Sequence, residues 1–270
     1  MERYPDIGKL FTPLQPSTER TVNGIVYSQV RSAPPLQKYI YSYWEFYTDQ
    51  PLRQPYSHRI VADGCIALIV DILNPENNFI RGFITSYTEY QFDGSFHYAG
   101  VCFYPSAFPV LFGLPASELT NVFEQLNSFL PHVARTFTQL FDTKTNISRT
   151  KQTFDDYFIR KMIRGNLAYD ARFFNAVDII LKSGGALNVQ TDLKTGVSPR
   201  HLRRLFDFYV GESPKMFCTV VRFQNIINQR PTAICIREKK IFYEAGYYDQ
   251  AHFIKEFKRL YGLTPSFALQ

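Results

Sequence analysis

The sequence predicts an α+β fold, in which a mainly antiparallel β-sheet or barrel domain is followed by a helical connector and an all-α C-terminal domain. Three observations predict this order. Short β-rich runs alternate with turn residues over 24–104, apolar residues then recur at spacings of three and four, and two similar turn-and-helix patterns follow near the C-terminal end. With 270 residues, of which 45% are hydrophobic, the chain can bury more than one core.

The predicted β domain consists of short runs separated by turn residues such as Asn74-Pro75 and Asp93-Gly94. The runs that predict strands are 24–30, 39–47, 65–72, 79–84 and 98–104. In the second run, the period-two alternation separates two sets of side chains, Ile40, Ser42, Trp44 and Phe46 on one face and Tyr41, Tyr43, Glu45 and Tyr47 on the other. Both sets are rich in aromatic residues. We therefore expect this strand to be covered on both sides or to line a cavity.

Helical patterns begin after the last of these runs. Ser106 is expected to cap a short apolar turn that ends at Gly113, and a longer helix is expected from Pro115 to Leu126. Apolar spacing of three and four then predicts helices over 131–141, 150–163 and 171–181. Because Gly184-Gly185 ends the last of these helices, we predict a β-rich domain at 1–130, a helical connector at 131–186 and a helical domain at 187–270.

Composition argues against membrane, secreted and metal-dependent proteins. No stretch approaches the roughly 18 apolar residues of a membrane helix, and the first residues lack an apolar secretory segment, so a cytoplasmic location without membrane contact is expected. The four cysteines form no Cys-x-x-Cys pair, which predicts reduced core residues and neither a metal nor another cofactor. They are Cys65, Cys102, Cys218 and Cys235. A zinc site formed by His58, Cys65, His97 and Cys102 is the weaker alternative.

The excess positive charge lies in the predicted C-terminal domain. Of the net charge of +6, residues 1–186 contribute nothing, with 17 basic and 17 acidic residues, whereas residues 187–270 hold 13 basic and 7 acidic residues. A basic domain beside a neutral one is typical of a protein whose affinity for nucleic acid comes from phosphate contacts. On charge alone, an ordinary solvated surface that happens to be basic is the better interpretation.

The first turn-and-helix pattern runs from Thr195 to Phe206. Gly196 permits a left-handed turn, Ser198 can cap the following helix, and Pro199 fits its first position. On that helix the apolar and basic side chains fall on different faces, with Leu202, Leu205 and Phe206 on one and Arg200, Arg203 and Arg204 on the other. The apolar face is expected to pack, and the arginines are free to bind guanine edges or phosphates of DNA.

The second pattern runs from Ala245 to Phe257. Here Asp249 is the expected cap, and Phe253 and Phe257 mark the packed face. The side chains towards the exposed face are Gln250, Ala251, His252 and Lys255. Glutamine can bind adenine, alanine can contact a thymine methyl group, and lysine can reach phosphate or guanine. For the histidine, a capping or packing role is an equally good interpretation.

A Ser-Pro or Thr-Pro pair follows each of these helices. Ser213 and Thr264 each precede a proline at an expected helix start, where backbone amides can bind a phosphate. Lys215 adds a positive charge beside the first of these helix starts. We therefore predict phosphate contacts at these three residues.

The paired patterns resemble the AraC/XylS family of bacterial transcription regulators. The resemblance covers roughly 187–267 and is strongest over Gly246–Pro265, with Ser213-Pro214-Lys215 and Arg222-Phe223-Gln224 also similar to the family. It implies two helix-turn-helix units whose recognition helices are held about one DNA turn (~34 Å) apart by a long joining helix. It also implies base contacts by Arg200, Arg203 and Arg204 in the first unit and by Gln250, Ala251, His252 and Lys255 in the second.

Three residues depart from the family pattern. In the helix expected before each turn, the family has a small residue where this sequence has Asp192 and Phe242, and Pro231 should end or kink the joining helix. The N-terminal segments Ala62–Ile69 and Phe103–Phe108 resemble domains attached to such DNA readers, which implies a regulatory role without naming a ligand.

Together these features predict a sequence-specific transcription regulator, an activator in our expectation, that binds double-stranded DNA and contacts RNA polymerase. The N-terminal domain would sense a small-molecule effector or mediate formation of a homodimer. Two alternatives remain open. One is an interaction protein with degraded DNA binding, and the other is a DNA-repair enzyme that transfers alkyl groups to Cys65 or Cys102. We expect no enzyme, because Asp63 and Glu45 have no partnering base or metal motif, and Asp63-Gly64 reads more simply as a turn.

Overall fold

The computed structural model describes residues 6–19, 24–165, 167, 169–231 and 241–269. A six-stranded antiparallel sheet has the order β1-β2-β7-β4-β5-β8, and β3 and β6 form a separate two-stranded antiparallel sheet. The strands are β1 (Ile25–Val30), β2 (Ile40–Thr48), β3 (Leu52–Ile60), β4 (Ile66–Asp71), β5 (Asn78–Arg81), β6 (Thr88–Gly94), β7 (His97–Phe103) and β8 (Phe123–Gln125). The predicted antiparallel N-terminal domain is confirmed.

Helices make up the rest of the fold. They are α1 (Ala107–Phe112), α2 (Pro131–Leu140), α3 (Ile147–Arg164), α4 (Ala171–Lys182), α5 (Pro199–Tyr209), α6 (Pro214–Asn228), α7 (Ile241–Glu244), α8 (Gln250–Tyr261) and α9 (Pro265–Ala268). Cys235 lies outside the described residues, and the other three cysteines are free thiols. Within the described part of the chain, no helix is long and apolar enough to cross a membrane. The predicted α+β class with a helical C-terminal region is therefore confirmed.

Strands β3 and β6 were not predicted from the sequence. They pair only with each other, and they bury few apolar side chains. β3 contains Pro55 and several charged or polar residues, and most of its side chains are exposed or half-buried. β6 has the same character and ends at Gly94, whose positive φ of 56° begins the turn into β7. A strand with one open face buries few apolar residues, so apolar periodicity does not reveal it.

The helix predicted from Pro115 to Leu126 is wrong. Only Ala116–Leu119 forms a single 3-10 turn, after which Asn121 adopts a positive φ of 59° and the chain continues as β8 beside β5. The ring of Phe123 stacks on that of Phe79 at 5.2 Å, so tertiary pairing overrides local helical spacing.

Ser106 does not act as the predicted helix cap. Its φ is 70° and its hydroxyl donates to the carbonyl of Pro105, so it makes no side-chain bond to α1. The helix nevertheless ends as predicted at Gly113, which has a positive φ of 71°. The start of α1 is therefore set by the strained turn after β7 rather than by a capping hydroxyl.

Both faces of β2 are covered, as its alternation predicts. On one face, the Tyr43 hydroxyl donates to Asp155 Oδ1 of α3 at 3.0 Å, and the Thr150 hydroxyl donates to Glu45 Oε1 at 2.6 Å. On the other face, the ring of Phe46 approaches rings on β3 and β6, including Phe92 at 5.3 Å. The strand therefore separates a helix-covered core from the space between the two sheets.

Helix α4 packs with the C-terminal helices. Its Phe173 ring lies 5.0 Å from Phe206 and 4.5 Å from Tyr209, both on α5. Helix α6 is buried along most of its length and contacts α4, α5 and α8. It ends at Asn228, and a positive φ of 49° at Arg230 turns the chain before Pro231, which therefore ends rather than kinks the joining helix.

Candidate DNA-binding surface and its contacts with an aromatic cavity

The first recognition-type helix, α5, starts as the sequence predicts. Gly196 adopts a positive φ of 73°, the Ser198 hydroxyl oxygen accepts a bond from the His201 amide at 3.2 Å, and Pro199 occupies the first helical position. Such a cap stabilises a helix start by about 1 kcal/mol. The direction of α5 is therefore set locally.

The two predicted faces of α5 are separated. Leu202 and Phe206 are buried in the core, whereas Arg200, Arg203 and Arg204 are all exposed. Among the described residues, none of these arginines forms an ion pair with a carboxylate. Their guanidinium groups are therefore available to an external acceptor.

The second recognition-type helix, α8, follows the same construction. Gly246 has a positive φ of 80°, and Asp249 accepts the His252 amide at 2.7 Å as the N-cap. Phe253 and Phe257 are buried, as predicted. The four predicted contact residues lie on the exposed side, namely Gln250, Ala251, His252 and Lys255.

The segments before the two turns differ from each other. Before the first turn, Asn188–Leu193 forms hydrogen-bonded turns rather than a regular helix, because the side chains of Asn188 and Asp192 take up backbone amides. Before the second turn, α7 is helical, and Phe242 is buried with its ring stacked on Phe253 at 6.0 Å. The helix expected ahead of the first turn, around Asp192, is therefore not regular. Ahead of the second turn, the ring of Phe242 occupies the core where the family has a small residue.

Arg222 of α6 holds the second turn in place. Its Nη1 donates to the Gly246 carbonyl at 3.2 Å, its Nη2 donates to the Gly185 carbonyl at 3.0 Å, and its guanidinium lies 4.8 Å from the centre of the Tyr247 ring. One side chain of the joining helix thus links the end of α4 to the start of α8. From the sequence, Arg222 was identified only as part of a family-like segment, and its contacts with Gly185, Gly246 and Tyr247 were not predicted.

The predicted phosphate-contact residues lie at two helix starts. The Ser213 hydroxyl accepts the Met216 amide at 3.2 Å and caps α6, and Lys215 beside it is exposed. Thr264 precedes α9 without capping it through its side chain, and its hydroxyl lies 3.1 Å from that of Ser266. At the first helix start, the exposed Lys215 adds positive charge, while the Glu212 carboxylate already accepts the Ser213 amide at 3.1 Å.

A cavity of about 270 Å³ lies between the two sheets of the N-terminal domain. Rings from most of the strands line it, namely Tyr27, Trp44, Phe46, His58, Phe79, Tyr90, Phe92, Tyr98 and Phe123. Only the aromatic face of β2 indicated such a space in the sequence, because the other rings come from strands that are distant along the chain. The cavity is therefore a product of the tertiary fold.

Asp63 and Arg81 form a buried ion pair in the wall of this cavity. Arg81 Nη2 lies 3.1 Å from Asp63 Oδ2, and that carboxylate also accepts from Gln15 Nε2 at 2.7 Å and from the Cys65 amide at 2.9 Å. Burial opposes the charged guanidinium, but the adjacent Asp63 carboxylate, together with Cys102 and Tyr90, outweighs it and raises the pKa of Arg81. Asp63-Gly64 is the predicted turn, with a φ of 75° at Gly64, yet no sequence pattern indicated the ion pair.

Apart from this ion pair, a histidine in the cavity wall and two cysteines in or beside it are held in their neutral forms. Burial lowers the pKa of His58 to about 4 and raises that of Cys102 to about 11. Burial also raises the pKa of Cys65 well above its usual value. Because the thiolate is the nucleophile, these cysteines are poor acceptors for alkyl transfer. The described residues contain no group of three histidines, cysteines or carboxylates placed to bind a metal.

The segment 61–63 connects the cavity to the joining helix α6 and to the recognition-type helix α8. Ala62 accepts a bond through its carbonyl from Gln224 Nε2 of α6 at 2.8 Å, and its amide donates to the Leu260 carbonyl of α8 at 3.2 Å. Gln224 is fully buried and also accepts the Leu14 amide at 2.7 Å. Asp63 of the cavity therefore lies one residue from a backbone group that is bonded to the C-terminal helices.

Further bonds tie each unit to the N-terminal domain. The Tyr87 amide donates to the Arg259 carbonyl at 3.0 Å, and Arg259 Nη1 donates to the Thr85 carbonyl at 3.1 Å. Beyond the end of α5, the Thr120 hydroxyl donates to the Gly211 carbonyl at 2.6 Å. The positions of α5 and α8 therefore depend on the N-terminal domain.

Two family models match separate parts of the chain. Residues 193–270 match a helix-turn-helix domain, and residues 28–125 match a domain of unknown function (DUF6597). The first match confirms the AraC-type recognition of the C-terminal region, and the second covers the β domain. No curated protein sequence matches this chain.

Solved structures of ToxT from Vibrio cholerae are similar to the chain over both parts. One ToxT structure is 13% identical with a TM-score of 0.39 and covers 92% of this chain and 99% of ToxT. Another, bound to (E)-4-(8-methylnaphthalen-1-yl)but-3-enoic acid, is 13% identical with a TM-score of 0.40 over 91% and 98%. A third, bound to an unsaturated fatty acid, is 13% identical with a TM-score of 0.39 over 93% and 96%. At this identity and TM-score, the ligands of ToxT do not identify one for this chain.

Proposed function

We propose that this chain, whose C-terminal region is an AraC-type helix-turn-helix domain, is a sequence-specific DNA-binding transcription regulator. The observation that carries the proposal is the pair of capped helices, α5 and α8, each with a buried aromatic face and an exposed polar face. Each helix would enter a major groove, so that one chain reads two adjacent groove segments of double-stranded DNA.

The first helix supplies the stronger base-reading chemistry in this proposal. A guanidinium can donate two bonds to O6 and N7 of guanine, so the exposed Arg200, Arg203 and Arg204 suit guanine-containing sites. Any of them that misses a base edge still binds phosphate. This helix therefore accounts for most of the expected affinity.

The second helix carries a milder set of contacts. Gln250 suits adenine, Ala251 suits a thymine methyl group, and Lys255 suits guanine or phosphate. The His252 amide donates to the Asp249 cap, and its exposed side chain is the fourth contact in this proposal. We place phosphate contacts at the two later helix starts, through Ser213, Lys215 and Thr264.

The N-terminal domain is the regulatory part in this proposal. Bonds from Ala62 to Gln224 and Leu260 support it, since any change in the cavity wall that shifts segment 61–63 must strain or break contacts with α6 and α8. A small-molecule effector in the cavity, a homodimer and contact with RNA polymerase complete the proposal. The cytoplasm is the location in which such a regulator meets DNA.

Selection of bound duplexes from random DNA tests the proposal. The protein should return a site of one to two helical turns, and Arg203→Ala should lose roughly 1–3 kcal/mol of discrimination at one base pair. Arg53→Ala, an exposed arginine of the N-terminal domain, is the matched control and should change nothing. Salt-sensitive binding without sequence preference would refute specific reading, and no binding at low salt would favour an interaction protein.

A further inference from the structure

We propose that the cavity between the two sheets binds an uncharged, planar aromatic molecule that carries a carbonyl or similar hydrogen-bond acceptor. The proposal rests on the regulatory role proposed for the N-terminal domain and names the class of its ligand. It is carried by the shape and chemistry of the cavity wall.

The wall favours flat rings. Two of its pairs are stacked, Phe79 with Phe123 at 5.2 Å and Tyr27 with Trp44 at 6.4 Å, and Phe46 meets Phe92 edge-on at 5.3 Å. A planar aromatic ligand can continue these stacked and edge-to-face contacts, whereas a saturated ring or chain gains only burial. The volume of about 270 Å³ accommodates a bicyclic ring system.

The wall also disfavours a charged ligand of either sign. Burial lowers the pKa of His58 to about 4, so that the imidazole is neutral, and burial raises the pKa of Tyr90, Tyr98 and Cys102, so that these groups remain protonated. Among the described residues of the wall, Arg81 and Asp63 form the one ion pair, and their charges balance each other. An ion entering this space would lose its hydration without finding an unpaired counter-charge.

The ion pair nevertheless provides a donor. Asp63 is saturated, because its oxygens already accept from Arg81, Gln15 and the Cys65 amide. A guanidinium has five N–H groups, and the contacts of Arg81 with Asp63 involve one on each terminal nitrogen. A neutral carbonyl of the ligand can therefore accept a hydrogen bond from Arg81 while the ion pair stays intact. For this reason the proposed ligand carries an acceptor group.

A ligand in the cavity would change the position of the C-terminal helices through the Arg81–Asp63 ion pair. Asp63 and Ala62 are neighbours in the chain, and Ala62 is bonded to Gln224 of α6 and to Leu260 of α8. A ligand that draws Arg81 towards itself displaces Asp63 with it. The same movement then acts on the backbone group that positions α8.

Trp44 makes binding measurable without DNA, because it is the only tryptophan and lies in the cavity wall. We would titrate the full chain with naphthalene-2-carboxamide and follow its fluorescence. Three compounds with related skeletons serve as comparisons: the anionic naphthalene-2-carboxylate, the cationic 2-naphthylmethylammonium and the saturated decahydronaphthalene-2-carboxamide. The carboxamide should change the Trp44 emission saturably below about 1 mM, the range that ligand efficiency allows for so small a molecule. Each comparison compound should bind at least tenfold more weakly.

A cavity-filling variant locates the site. Ala67 is buried in the wall, so Ala67→Leu should fill part of the cavity and weaken carboxamide binding at least tenfold. Ala171→Leu, on the exposed first turn of α4, is the matched control and should bind like the parent chain. Circular dichroism of both variants separates loss of binding from loss of folding.

Three results would overturn the ligand class: tighter binding of the carboxylate or the ammonium compound, equal binding of the saturated amide, or no response of Trp44 to the carboxamide. Binding that persists undiminished in folded Ala67→Leu would overturn the site. These measurements contain no DNA, so failure of the ligand class leaves the duplex-selection result unaffected, and failure of DNA binding leaves the fluorescence result unaffected.

Discussion

The N-terminal and C-terminal parts of this protein differ in where their charged side chains lie. The cavity of the β domain is walled by rings and neutral groups around one balanced ion pair. The C-terminal helices pack buried aromatic side chains such as Phe253 and Phe257, and they present arginine and lysine to solvent. The aromatic cavity and the exposed basic helices therefore lie in different parts of the chain, which share one continuous hydrophobic core and are linked by hydrogen bonds such as those of Ala62.

The largest expected effect is on the free energy of unfolding. It compares a closely packed ring of the C-terminal helices with a ring that borders the cavity of the β domain. Phe253 is buried among Phe242, Tyr247 and Phe257, so Phe253→Ala should lower the free energy of unfolding by about 3–5 kcal/mol. Phe92→Ala, in the wall of the existing cavity, should cost less than half as much because the Phe92 ring is only half-buried. Urea unfolding of both variants checks this, and equal losses would contradict the contrast.

Acid should destabilise the β domain through His58. Burial lowers the pKa of this folded-state imidazole to about 4, below its usual value near 6.5, so the unfolded chain binds the proton more readily. Stability from this group is fully present above pH 6.5 and is lost as the pH falls towards 4, by about 3 kcal/mol in total.

Measuring the free energy of unfolding between pH 7 and pH 4 checks this expectation. His58→Phe keeps a ring beside Phe46 but cannot titrate, so its stability should depend less steeply on pH over that interval. An unchanged slope in the variant would show that other groups cause the acid sensitivity.

A smaller effect concerns the link between the two parts. Gln224→Leu removes the donor to Ala62 and the acceptor of the Leu14 amide, both in a buried setting, which should cost about 1–3 kcal/mol of stability. Gln229→Leu, exposed just beyond the end of α6, is the control and should be near neutral. If Gln224→Leu leaves both stability and DNA affinity unchanged, segment 61–63 does not connect the domains energetically.

The smallest expected effect concerns Lys255 of α8 and tests whether it contacts phosphate or a base. Lys255→Ala should weaken binding to all duplexes alike and reduce the slope of log K against log salt by about 0.9, as expected for one lost phosphate contact. Lys144→Ala, exposed in the loop between α2 and α3, should leave the slope unchanged. A change in sequence preference instead would assign Lys255 to a base rather than to phosphate.

The sequence was most informative where structure depends on neighbouring residues. Gly196, Ser198 and Pro199 predicted the start of α5, and Gly246 with Asp249 predicted that of α8, because turns and caps use bonds within a few residues. It was least informative at β8, where helical spacing was overridden by pairing with β5. Polar strands β3 and β6 escaped notice for a related reason, since their partners lie more than 30 residues apart in the chain for most pairs.

By itself, the sequence determined the α+β class, the AraC-type domain near its C-terminal end, the two capped helices and the exposed side on which Arg200, Arg203 and Arg204 lie. These features follow from local periodicity and capping, which act within a few turns of chain. Only the tertiary structure decided the pairing of Asp63 with Arg81, the ring-lined cavity and the bonds from Ala62 to Gln224 and Leu260. Those contacts join residues up to about two hundred positions apart, and no local pattern specifies which distant strand or helix will supply the partner.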